Sequence, residues 1–219
     1  MTSEDPLRAL IIGASRGIGL ELARQYLAEG WEVLATTRAP DQPGRLGELS
    51  GDLIVHPFDV RDDAALALLA RTVGKVDLVI HNAGVGRGTP QAEMMAVNAE
   101  APIRVVEALL QADAIAPGGR VVLVTSQLGA RRGSKESLGD YGDSKAALND
   151  EFRRLAPGWA DRGLIAIVLH PGWVRTDMGG PSAPLSAEES VTGIRELVAG
   201  LTDAHHGRFW TWDGREHPW

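Results

Sequence analysis

Short apolar runs alternate along this chain with longer stretches in which apolar residues recur every three or four positions. Leu7 to Ile12, Trp31 to Thr36, Leu53 to Val55, Val76 to Ile80, Val121 to Thr125 and Ile165 to Leu169 have the length and content of strands. Leu20 to Glu29, Asp62 to Thr72, Glu93 to Leu110 and Tyr141 to Leu155 have helical spacing. Leu22, Tyr26 and Leu27 mark the inner face of the first helix, and Leu66 and Leu69 that of the second. Gly30 is a stop signal, and Pro102 interrupts the pattern of the third helix. Asp41 to Gly51, with Pro43, Gly44 and Gly47, reads as loop. Ser186 and Glu189 have capping-box spacing ahead of Val191, Ile194, Val198 and Leu201. Arg208 to Trp212 reads as a final strand, turned at Asp213-Gly214.

Strands that are apolar throughout are covered on both faces, and helices between them make the sheet parallel. Right-handed crossovers then give a doubly wound α/β fold of about seven strands. In such sheets ligands bind at the carboxyl ends of the strands, where the strand order reverses. Candidate chemistry should therefore sit just after a strand.

Composition narrows the function more than the fold. A chain of 219 residues suits one domain, expected here over 1–219. With no cysteine there is no disulfide, thiolate metal site or cysteine nucleophile, which suits the cytosol. The net charge of -7, with both signs mixed along the chain, offers no basic face for nucleic acid or anionic lipid. No apolar run reaches spanning length, and Met-Thr-Ser-Glu-Asp-Pro at the start lacks the features of a signal peptide. The histidines show no metal-ligand spacing. These readings predict a cytoplasmic protein with no metal and no nucleic-acid or membrane partner.

The first strand runs into Gly13-Ala14-Ser15-Arg16-Gly17-Ile18-Gly19 and then a helix. Glycines let a turn take positive φ and let backbone approach a ligand. The amides that open the next helix attract a pyrophosphate. A tight strand-to-helix turn with no ligand is the plainer reading of the same residues. The second strand ends Thr36-Thr37-Arg38, with no carboxylate to hold the ribose 2′-hydroxyl of NAD. Arg38, with Arg16 in the glycine turn, would suit a 2′-phosphate, which favours NADP(H) over NAD(H). The alternative for each arginine is a solvent-facing surface side chain.

Three further motifs follow in order. Asn82-Ala83-Gly84 comes after the fourth strand and Ser126 after the fifth. Tyr141-Gly142-Asp143-Ser144-Lys145 begins fifteen residues beyond Ser126, and Pro171-Gly172 follows the sixth strand with Thr176 close behind. With the glycine turn, this series resembles the short-chain dehydrogenase/reductase family over nearly the whole chain. The ending from Phe209 to Trp219 is similar to that of the C-factor-like and sniffer-type carbonyl reductases. The resemblance implies a Rossmann-type fold, a nicotinamide cofactor, a small carbonyl or alcohol substrate, and a homodimer or homotetramer. Its long helices, here Ala96 to Leu110 and Tyr141 to Leu155, would make the subunit contact.

The resemblance also assigns roles. Ser126, Tyr141 and Lys145 would be catalytic, and Asn98 would hold a water in a proton relay. Tyr141 and Lys145 would also contact the cofactor. Gly13, Ser15, Arg16, Gly17, Ile18 and Gly19 would take the phosphates and Arg38 the ribose phosphate. Asp59 and Val60 would meet the adenine, and Asn82, Ala83 and Gly84 would wall the ribose. Pro171, Gly172, Val174 and Thr176 would seat the nicotinamide. Two positions depart from the pattern, both expected to be structural: His81 stands where many members have asparagine, and Ile12 where many have threonine.

Carbonyl reduction needs a hydride and a proton, and the cofactor brings only the hydride. A free tyrosine titrates near 10, far from neutral pH. Lys145, one helical turn beyond Tyr141, is expected to favour phenolate. A drop of about three units needs about 4 kcal/mol, the order one ammonium supplies at about 4 Å and an effective dielectric of about 20. Ser126 would hold the substrate oxygen. Ser144 is expected to be only a neighbour, turned away from Lys145. Packing is the plain reading of each residue alone: Tyr and Lys as amphipathic surface, Ser as a cap. A protein that binds NADP as a sensor, or signals through the same scaffold, is the alternative to an enzyme. Trp173 is the best pocket candidate among the tryptophans. Trp210, Trp212 and Trp219 either pack the last strand or line the cleft. The short Met178 to Ser186 stretch, rich in glycine and proline, is expected to be a reduced lid.

Overall fold

The computed structural model describes residues 6–131, 137 and 139–219. Its strands are β1 (Arg8–Ile12), β2 (Glu32–Thr37), β3 (Leu53–Pro57), β4 (Val76–His81), β5 (Ile115–Val124), β6 (Ile165–His170) and β7 (Phe209–Thr211). The main helices are α1 (Gly17–Ala28), α2 (Asp63–Thr72), α3 (91–111), α4 (Gly139–Asp161) and α5 (Ala187–Ala199). The strands form one sheet in the order β3-β2-β1-β4-β5-β6-β7, and every neighbouring pair is parallel. The doubly wound Rossmann-type sheet expected from the sequence is what forms.

Alternation along the strands splits the core in two. Leu10 and Ile12 of β1, Val79 of β4, Leu123 of β5 and Val168 of β6 point to one side, against Leu66 and Leu69 of α2, Leu109 of α3 and Phe152 of α4. Ala9 and Ile11, Ile80, Val122 and Ile167 point to the other, against Leu22 and Tyr26 of α1 and Ile194 of α5. A strand buried on both faces cannot alternate apolar with polar, so its period of two shows only in the packing. Phe152 and Phe209 are fully buried; at about 25 cal/mol per Å2 such side chains contribute on the order of 2–3 kcal/mol each.

The departures from expectation have local causes. Helix α1 begins at Gly17, inside the glycine turn and ahead of the expected Leu20, with Ile18 and Leu20 of its first turn packed on the core. Asp41 to Gly51 contains a short tight helix, Gly44–Glu48, anchored by buried Leu46. Strand β5 starts at Ile115 rather than Val121; its pairing with β4 jumps from Ile115 to Arg120, looping out Pro117-Gly118-Gly119. Helix α4 runs on past Leu155 through Pro157 to Asp161, its last turns pinned by buried Ala156 and Trp159. The strand order reverses between β1 and β4, and there the backbone amides of Asn82 and Ala83 donate to the Ile12 carbonyl at 3.0 and 2.9 Å.

Candidate active site

The glycine turn is built for close approach. A Cβ on Gly13, whose φ is +84°, would stand 2.8 Å from the Ala83 backbone. One on Gly19 would stand 2.1 Å from the Gly13 carbonyl oxygen. Asn82 Nδ2 donates to that same oxygen at 3.0 Å, and the Gly13 amide donates to Thr36 Oγ1 at 2.9 Å. Helix α1 has no side-chain cap, so its opening amides are left to face the cleft.

A cavity of about 250 Å3 runs along these strand ends. Of the expected cofactor residues, Gly13, Ser15, Arg16, Gly17 and Ile18 form its floor, and Arg38, Asp59 and Val60 one end. Asn82, Ala83, Gly84, Tyr141, Lys145, Pro171 and Thr176 form the rest. Gly19, Gly172 and Val174 are outside the wall. Gly172, at φ +86°, brings the backbone against Leu185 and Trp212, and buried Val174 bridges to Leu185, so both shape the loop from behind.

The two arginines differ. Arg38 is exposed at the cavity edge. Arg16 is ion-paired to Asp177 at 2.8 Å across the mouth, with both side chains largely in solvent. Arg61, which no motif flagged, also lines this end. Its hydrogen bonds hold the Asp59 carboxyl down to about 2, and it pairs with Glu93 at 2.8 Å. Its signal in the sequence was only its place beside Asp59-Val60.

The polar centre sits where β5 meets α4. Ser126, 7% exposed, ends the segment after β5 and accepts a bond from the Leu128 amide at 3.1 Å. Its hydroxyl also hydrogen-bonds Tyr141, in the first turn of α4. Lys145, 4% exposed, donates from Nζ to the Val124 carbonyl at 2.9 Å. The ammonium does not acidify the tyrosine as expected. Burial pushes the Tyr141 phenol above its usual 10, and the Ser126 hydrogen bond only partly opposes it. Burial likewise brings Lys145 down to about 8. Desolvation disfavours the charged form of each, the phenolate of Tyr141 and the ammonium of Lys145.

Asn98 is fully buried in a wide turn, Ala96–Glu100, within α3. Its Oδ1 accepts from the Val85 amide, and its Nδ2 donates to the Val85 carbonyl, all at 2.9 Å. The other Nδ2 hydrogen goes to Ser144 Oγ at 3.0 Å, and Ser144 Oγ donates to the Tyr141 carbonyl at 2.8 Å. Ser144 is thus no bystander: it fastens Asn98 to the first turn of α4. Pro102 lies four residues beyond Asn98 and has no N–H, so the Asn98 carbonyl lacks an α-helical donor. The wide turn is where the helix absorbs that missing rung.

The tail packs away from the cavity. Trp219 lies 6.4 Å from Phe152 and 5.7 Å from Phe209, and Trp210 and Trp212 lie against the α1–α5 side of the core. Trp173 is 54% exposed and donates from Nε1 to the Gly179 carbonyl at 2.8 Å, outside the cavity wall. Of the expected lid, Met178 does line the cavity, resting close to Gly86 across the cleft. Among the described residues no group of acidic or histidine side chains is arranged to hold a metal, and no helix is long and apolar enough to cross a membrane.

A parallel doubly wound sheet, with a glycine turn at its switch point, Tyr141 and Lys145 lining the cleft and Ser126 bonded to Tyr141, defines a nucleotide-binding α/β protein. The chain belongs to the short chain dehydrogenase family, whose sequence model matches residues 8–185. It is 38% identical over 156 residues to the C-signal protein of Myxococcus xanthus, covering 67% of this chain and 94% of that one. A carbonyl reductase from Pseudomonas aeruginosa PAO1, solved in complex with NADP, is 32% identical with a TM-score of 0.82, over 98% of this chain and 100% of the other. The carbonyl reductase Sniffer of D. melanogaster is 26% identical with a TM-score of 0.86, again over 98% and 100%. The chain is an oxidoreductase of this family, similar to the C-signal and sniffer-type members.

Proposed function

We propose that this chain is an NADP(H)-dependent reductase of small carbonyl compounds, working as one domain over 1–219 in the cytoplasm. The observation that carries this reading is that Tyr141 and Lys145 line the glycine-floored cleft while Ser126 hydrogen-bonds Tyr141. The NADP-bound carbonyl reductase among its structural relatives supports the choice of cofactor. So does the chain itself: the uncapped amides of α1, the close glycines and Arg38 suit phosphates, and no carboxylate ends β2.

The nicotinamide, when bound, supplies a hydride to the carbonyl carbon. The chain's own residues do the rest. Ser126 donates a hydrogen bond to the carbonyl oxygen and fixes its position. Tyr141, kept protonated by burial, delivers its proton to that oxygen. Lys145 presents its ammonium to the ribose hydroxyls from below. Asn98 holds the first turn of α4 through Ser144, and its carbonyl, freed by Pro102, accepts from a relay water. Gly13, Ser15, Gly17, Ile18 and Gly19 carry the phosphates, with Arg16 and Arg38 at the 2′-phosphate. Asp59 and Val60 would flank the adenine, Asn82, Ala83 and Gly84 the ribose, and Pro171 and Thr176 the nicotinamide, with Gly172 and Val174 shaping that loop from behind. Subunits pair through 96–110 and 141–155 into a dimer or tetramer, which light scattering reads.

The test is NADPH oxidation with a panel of aldehydes and ketones. Tyr141→Phe should lower kcat by about 10²–10⁴-fold, the usual worth of a positioned acid. Arg38→Ala should raise the KM for NADPH roughly tenfold or more and leave that for NADH nearly unchanged. Equal, low rates in the wild type and Tyr141→Phe would reject the enzyme and favour a nucleotide-sensing role.

A further inference from the structure

His81 closes strand β4 at the centre of the sheet. It is 1% exposed, and neither ring nitrogen has a hydrogen-bond partner among the described residues. A buried imidazole has one N–H and one lone pair, and leaving either unused costs about 1–3 kcal/mol. A side chain of ordinary packing duty at this place would be apolar, as Val79 and Ile80 are. The position therefore has a polar partner to serve.

The strand register indicates which one. Side chains alternate, so His81 points with Val79 toward α3 and α4, the face on which Lys145 lies. His81 is the register partner of Leu123 on β5, and Lys145 Nζ donates to the carbonyl of Val124, the next residue. The ammonium thus stands over the neighbouring strand, one residue beyond the imidazole. Above it lies Gly84, where an added Cβ would be 3.8 Å from Nζ and 3.2 Å from Asn98 Oδ1. An ammonium has three donors, and one is committed to Val124. Asn98 has both Nδ2 hydrogens committed, to Val85 and Ser144, and its Oδ1 already accepts from the Val85 amide, which leaves one lone pair there.

The groups that face Lys145 are few. Among the described residues they are His81 on β4, which feels the Lys145 charge, and Asn98 on α3, with Tyr141 one turn earlier on α4. Asp143, two residues before Lys145, bonds Ser137 at 2.6 Å. No carboxylate enters the balance of Lys145, whose proton affinity is set by burial. His81 for its part is neutral throughout the working range, held down to about 3 by burial and by the Lys145 charge.

We propose that His81 is a positioning residue that accepts a hydrogen bond from the Lys145 ammonium through one buried water and keeps it charged at the pH where the enzyme works. This rests on the reductase reading, since it assigns the ammonium a purpose there. A neutral imidazole can accept without competing for charge. Buried water is the usual bridge between polar groups just beyond direct reach.

The test reads Lys145 itself. The chain has three lysines, Lys75, Lys135 and Lys145, so 13C-labelled lysine resolves each titration by NMR. In His81→Leu the Lys145 midpoint should fall below the wild-type value by about one pH unit, a tenfold loss of proton affinity. In His81→Gln, which restores an acceptor, it should return to within a few tenths of a unit. Thermal melting of both variants checks that they fold. An unchanged midpoint in the leucine variant overturns the proposal. So does a folded glutamine variant that titrates like the leucine one, because burial alone would then account for the shift. Failure of the reductase reading shows elsewhere, as equal turnover in wild type and Tyr141→Phe.

Discussion

Lys145 and Tyr141 are displaced by burial in opposite senses, and that fixes the sign of the pH response. The phenol is raised, so the proton that reduction consumes stays in place throughout the neutral range. The ammonium is lowered to about 8, so it is charged below that pH and neutral above it. Reduction, followed as kcat/KM with NADPH, should hold steady from pH 6 to 7 and fall as pH rises through about 8. Alcohol oxidation, which needs phenolate, should still be climbing there. A reduction rate that held level to pH 10 would contradict the assignment of Lys145. The motif residues were legible as letters because each type is tied to one task. Their proton affinities were not, because desolvation depends on how deeply α4 sinks against β5, and no local spacing records that. Ser144 shows the same limit: helical geometry turns it away from Lys145, but only the packing of α3 against α4 reveals Asn98 as its partner.

At the level of elements, local chemistry predicted best where it is self-contained. The capping box on α5 forms as the spacing demanded: Ser186 Oγ accepts from the Glu189 amide at 3.1 Å and Glu189 Oε2 accepts from the Ser186 amide at 2.8 Å. Ser186→Ala should cost about 1 kcal/mol of stability, measured by urea unfolding, with little change in NADPH binding. Asp62 likewise caps α2, accepting from the Ala64 and Ala65 amides. Prediction failed where a tertiary neighbour overrules the local signal. It held at Pro102, where α3 runs from 91 to 111 much as expected over Glu93 to Leu110, because the wide turn ahead of the proline gives up a rung. Pro117-Gly118-Gly119 hid the first part of β5, since a looped-out segment breaks every pattern that marks a strand.

Across the whole molecule, the parallel doubly wound sheet covered on both faces was implicit in the alternation of strands and helices, while the order of its strands comes from the structure. The routing of the aromatic tail was not. Trp210, Trp212 and Trp219 have the composition of a pocket lining and the environment of a core, and only the position of β7 at the sheet edge decides between them. The mouth of the cleft is likewise a tertiary product, joining the glycine turn to a loop more than 150 residues away through Arg16 and Asp177. Dissolved salt acts on that doorway in two opposed ways. It weakens the pull of guanidinium on an incoming dianion, and it also loosens the tie that must part to admit one. Stopped-flow association of NADPH should therefore vary little between dilute and saline buffers in the wild type, and slow more steeply with added electrolyte once Asp177→Asn has removed the tie.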